Sequence, residues 1–95
     1  MPRPRSQKKL EQVPEITFYK PQGIPLKNLQ SVEISHEEWE SLRLKHLEKL
    51  NQISCAKKMK TSQSTFHRIL SSAQKKIGQA IVKGMAIKII QRRAD

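Results

Sequence analysis

The sequence predicts a mainly α-helical fold: a helix-turn-helix domain of three to four helices, with an irregular N-terminal segment and a short two-stranded β pairing. Three observations carry this. Apolar residues recur at helical spacing between positions 36 and 83, Ser35, Asn51 and Ser62 stand where helix N-caps are needed, and every proline lies before residue 26. At 95 residues the chain has room for a single core, placed here at residues 13–95.

Residues 1–12 form the first element. Met1-Pro-Arg-Pro-Arg5 is basic and twice interrupted by proline, which blocks a helix and favours an extended, flexible arm. Residues 13–34 hold Pro14, Pro21, Gly23 and Pro25, so they read as an irregular lead-in with one or two short strands at Ile16–Tyr19 and Val32–Ile34.

Ser35 followed by Glu38 is a capping-box pattern, and it starts a helix over about 36–49 whose stripe is Trp39, Leu42, Leu47 and Leu50. Leu44 falls off that stripe. The glutamates of this segment read as a solvated helix surface.

A second helix over about 52–59 follows Asn51, with Ile53, Ala56 and Met59 as its inward face. The third, over about 63–83, follows Ser62 and carries Phe66, Ile69, Leu70, Ala73 and Ile77 on one side, with Gly84 as its stop. A break at Gly78 would make a fourth. Ala86–Ile90 is β-branched and nearly alternating, which predicts a short strand able to pair with Val32–Ile34.

The stretch from Asn51 to Leu70 meets the physical needs of two short helices crossing at a tight turn. Ala56 is the small residue at the contact, Met59 fills the corner, Ser62 caps, and Phe66, Ile69 and Leu70 anchor. Lys60 occupies a turn position that favours a left-handed backbone, at a cost of about 1 kcal/mol for a residue other than glycine.

Charge gives the fold a direction. The chain carries +11, and residues 51–95 hold ten Lys or Arg against the single acid Asp95. Residues 35–50, in contrast, hold four Glu against three Lys or Arg. A basic half of this kind points to a polyanion.

Anchoring Phe66, Ile69 and Leu70 turns Gln63, Ser64, His67, Arg68 and Ser71 outward, where they are candidates for base contacts in a major groove. Arg3, Arg5, Lys57, Lys58, Lys60, Thr61, Thr65, Lys75 and Lys76 surround that face as candidates for phosphate contacts.

The sequence resembles uncharacterised protein family 0251, small bacterial and archaeal proteins predicted to bind DNA. The resemblance rests on Met1-Pro-Arg-Pro-Arg5, Tyr19-Lys-Pro21 with Gly23 and Pro25, Glu40-Ser-Leu-Arg-Leu44 and Ser64-Thr-Phe-His-Arg-Ile-Leu70. It covers nearly the whole chain, and it implies a helix-turn-helix similar to sigma factor region 4 with a recognition helix from Ser62 to about Lys76. The sequence departs from the family pattern at Lys60, where glycine is common, at Gln63 and Ser64, where Arg-Pro is common, and near Gln7, where a cysteine often stands.

The expected function is therefore double-stranded DNA binding in transcriptional control, as a cytoplasmic protein and a candidate homodimer. Docking on RNA polymerase and RNA binding are the alternatives; the latter is disfavoured by the scarcity of rings for base stacking. No catalytic constellation, cofactor motif or metal-ligand spacing is visible, so a binding protein and not an enzyme is expected. Cys55 is alone, which excludes an internal disulfide, and no apolar run suits a signal peptide or a membrane span.

Overall fold

The computed structural model describes residues 12–91. In chain order these form strand β1 (Phe18–Tyr19), a 3-10 turn at Leu26–Asn28, strand β2 (Ser31–Ser35), helix α1 (His36–Leu42), a π-helical turn at Arg43–Leu47, helix α2 (Gln52–Lys58), helix α3 (Gln63–Lys83) and strand β3 (Ala86–Ile90). The fold is mainly helical, as expected. The N-terminal arm, with Arg3 and Arg5, lies outside the described residues up to Glu11.

The sheet has three strands in the order β1-β3-β2, one more than the predicted pair. β3 runs antiparallel to β1, with Phe18 opposite Lys88 and Tyr19 opposite Ile87. It runs parallel to β2, with Val32 opposite Ile87 and Ile34 opposite Ile89. Parallel neighbours need a long crossover. Here all three helices form it.

Each helix begins as its sequence dictates. Ser35 Oγ accepts the Glu38 N–H at 3.0 Å while the Glu38 carboxylate accepts the Ser35 N–H at 2.8 Å, closing the capping box. Asn51 Oδ1 accepts the Ser54 N–H at 2.8 Å, and Ser62 Oγ accepts the Thr65 N–H at 3.1 Å. Gly78 does not interrupt α3, which runs unbroken for 21 residues to a left-handed Gly84 at φ 67°.

The first helix departs from its predicted course after Leu42. In the π-turn the Glu48 N–H reaches back five residues to the Arg43 carbonyl at 2.9 Å, and the Leu50 N–H reaches Leu44 at 3.1 Å. The wider turn rotates the side chains that follow. Leu44 is buried, whereas Leu47, expected on the apolar stripe, is 73% exposed.

Arg43 holds this turn. Its Nε and Nη2 donate to the two oxygens of Glu40 at 3.0 and 2.8 Å, and Nη1 donates to Glu48 at 3.0 Å. Glu40 is fully buried and Glu38 nearly so, which corrects the expectation of a solvated glutamate surface. A buried carboxylate persists only when paired and hydrogen-bonded, a condition that both meet.

One buried cluster joins the π-turn to α2 and α3: Leu44, Cys55, Ala56, Met59, Phe66 and Leu70, flanked by Leu42, Leu50 and Ile69. Ile53, predicted inward, faces solvent. Cys55 takes its place because positions 55, 56 and 59 share one side of α2, and Ile53 lies two residues, about 200°, from Cys55. On α3, Ala73 and Ala80 are buried one above the other. These small residues let the helix approach the sheet, where Ile34, Ala86 and Ile89 are also buried.

Candidate nucleic-acid interface

The site begins with the turn between α2 and α3. Lys60 adopts φ 56°, its N–H donates to the Lys57 carbonyl at 3.0 Å, and the Thr61 N–H donates to Ala56 at 3.0 Å. This is the paired bonding of a Schellman end, with a lysine in the position that glycine occupies most easily. The left-handed backbone expected at Lys60 is present.

Beyond the turn, Phe66 and Leu70 are buried against α2 and Ile69 is half-buried. Helical geometry then fixes the remaining directions. Gln63, Ser64, His67, Arg68 and Ser71 are all exposed along one side of the N-terminal half of α3. Thr65 is half-buried, and its hydroxyl accepts a 2.9 Å bond from Ser62 Oγ, so it braces the cap.

Lys57, Lys58 and Lys60 are exposed at the end of α2 and in the turn, and Lys75 is exposed two turns beyond Arg68. Thr61 is half-buried. Residues 51–91 carry eight Lys or Arg and no Asp or Glu, so no carboxylate of these elements competes for the cations.

Lys76 faces elsewhere. Its ammonium donates to the Glu38 carboxylate at 3.0 Å and to the Glu33 carbonyl at 2.8 Å, an internal commitment that sets it apart from Lys75. Glu38 also accepts a 2.5 Å bond from Ser72 Oγ. Burial works to raise the Glu38 pKa, but the bonds from Ser72, the Ser35 N–H and Lys76 outweigh it and hold the carboxyl below its ordinary value.

The sequence motif for the capping box identified Glu38 as a local cap. It did not show that the same carboxylate clamps α1 to the middle of α3. Arg68 borders a shallow cleft with Glu37, Glu38, Thr65 and Ser72, which places the acidic start of α1 beside the base of the exposed face.

Cys55 is fully buried, and burial raises its thiol pKa against the opposing field of Lys45. His36 Nε2 donates to the Gln12 carbonyl at 2.6 Å, and His46 bonds Gln74 at 3.0 Å. Among the described residues no group of three His, Cys, Asp or Glu is placed to hold a metal ion, and no helix is long and apolar enough to cross a membrane.

The family model described as "Protein of unknown function DUF134" matches residues 1–93. A UPF0251 protein of Pelotomaculum thermopropionicum is 47% identical over 94% of this chain and 67% of its own length. Another, from Halothermothrix orenii, is 44% identical over 93% of this chain and 65% of its own length. A third, from Desulforudis audaxviator, is 48% identical over 94% of this chain and 58% of its own length. The chain thus spans about two thirds or less of these curated relatives. No solved structure matches it. With the family model matched almost end to end and relatives near half identity over nearly all its residues, the chain belongs to the DUF134 family of UPF0251 proteins.

Proposed function

We propose that this protein binds double-stranded DNA as a transcriptional regulator, with α2 and α3 acting as a helix-turn-helix and α3 entering the major groove. One observation carries the reading: Gln63, Ser64, His67, Arg68 and Ser71 form a continuous, exposed, acid-free side of α3 framed by Lys57, Lys58, Lys60 and Lys75. An Arg can donate two bonds to guanine, a Gln can pair with adenine, and the lysines neutralise phosphates without reading sequence. The N-terminus of α3 has no acid in its first turn, so its positive end adds attraction for phosphate.

A second reading, docking on RNA polymerase or another transcription protein, is favoured by Ile81 and Val82, which are 72% and 84% exposed near the end of α3. A duplex titration separates the two. The DNA reading expects binding whose affinity falls steeply as salt rises, because counterions are released from each neutralised phosphate. Absence of binding to any duplex pool at low salt, together with capture of polymerase subunits, would reverse the assignment.

A further inference from the structure

A groove of about 500 Å³ opens beside α1, its lining including Trp39, Arg43, His46, Leu47, Ile77 and Ile89. It lies between the two layers of the fold, with the sheet on one side and α1, the π-turn and α3 on the other. We propose that it is a binding site for a small, uncharged, apolar molecule. The assignment does not depend on DNA binding.

Four observations select that occupant. Its volume lies in the range of small-molecule sites, roughly 300–1,000 Å³, and its walls are aliphatic and aromatic with a few polar atoms at the rim, the composition such sites share. Arg43, the one permanent charge on the wall, is held by Glu40 and Glu48 at 2.8 and 3.0 Å, so the groove offers no open counter-charge to an ionic ligand.

One wall is the π-turn, which contributes Arg43, His46 and Leu47; single π-turns recur at functional sites because they displace side chains from helical register. Without that displacement Leu47 would belong to the apolar stripe and would not stand at the rim. Lastly, the open apolar wall is a small fraction of the roughly 800 Å² per partner that a stable protein interface buries. Two chains of charge +11 also repel each other, which argues against a second copy as the occupant.

The full chain supplies its own reporter, because Trp39 is its only tryptophan and lines the groove. Titration with N-phenyl-1-naphthylamine, an uncharged dye that fluoresces in apolar sites, should saturate at one dye per chain, with Trp39 emission falling in step. Ile77→Phe, which fills the groove, and Leu47→Glu, which sets a carboxylate at an exposed rim position, should each weaken binding about tenfold or more. Far-UV circular dichroism confirms that the variants fold, and Leu47→Glu keeps the test valid should Ile77→Phe misfold. A dye signal that rises without saturating, or that folded variants leave unchanged, overturns the proposal. So does sedimentation showing a dimer that Leu47→Glu splits, since a second copy would then fill the groove.

Discussion

Replacing Lys60 with glycine should stabilise the fold while weakening the DNA binding proposed above. Lys60 sits at φ 56°, and its side chain is exposed and absent from the buried cluster, so the substitution removes no packing. A left-handed backbone costs a residue with a Cβ about 1 kcal/mol, at the lower end of the usual range. Glycine returns about half of that through the extra freedom of its unfolded chain. The net gain is then about 0.5 kcal/mol, which for a domain of this size raises Tm by roughly 2–4 °C. Lys60→Ala retains the strain and should leave Tm nearly unchanged. Both variants lose the same cation, so if Lys60 contacts a phosphate, both should lower the slope of log affinity against log salt by about 0.9. Thermal unfolding followed by circular dichroism, with duplex titrations at several salt concentrations, measures both effects. A glycine variant melting below the alanine variant would refute the account of the turn; an unchanged salt slope in both would remove Lys60 from the phosphate contacts.

Three further outcomes follow from the same geometry. Arg68→Ala should cost about 1–3 kcal/mol on a selected duplex and relax preference at one base pair, whereas Lys75→Ala should weaken all duplexes alike; equal behaviour of the two would deny Arg68 a base-reading role. The folded Glu38 carboxyl titrates below its ordinary value of 4.5, so its contribution to stability is complete above that pH and is lost as pH falls through the lower, folded value. In acid unfolding, Glu38→Gln should therefore be less stable than the parent near neutrality and show a shallower loss below pH 4.5; parallel curves would show that the Lys76 and Ser72 bonds do not outweigh burial. Finally, Cys55 should react with a disulfide reagent only as fast as the domain opens, because its thiol is fully buried and burial raises its pKa; rapid reaction in the folded protein would contradict the packing around it.

Much of the fold was legible because its signals are local. The three N-caps, the left-handed turn at Lys60 and the buried Phe66 and Leu70 follow from residues within a turn or two of each other, where side-chain and backbone chemistry decide the outcome. The misread parts depend on distant partners. Glu38 carries no mark in the chain of being buried, since Ser72 and Lys76 reach it from across the fold; Glu40, by contrast, pairs with Arg43 three residues on, and only its burial depends on the rest of the fold. Once the helix widened into the π-turn, the stripe through Leu47 lost its phase. β1 falls inside the short strand read at Ile16–Tyr19, but its pairing with β3 is not legible locally, because a two-residue strand is defined by its partner more than by its own sequence. The exposed side of α3 was readable as the complement of its anchors. The apolar groove was not, since its walls come from five stretches spread along the chain from Tyr19 to Ile89.

The central place of β3 has a consequence for how the molecule is made. A nascent chain halted before Ala86 would possess the segments for all three helices, yet β1 and β2 would have nothing to bridge them, because they are not hydrogen-bonded to each other. Closure joins Ser31 to Ala86 and Ser35 to Ile90, a loop of more than fifty residues, so it carries the entropic penalty of a distant contact and belongs late in assembly. On the ribosome the helices can therefore organise first. The sheet must wait for five residues that emerge after them.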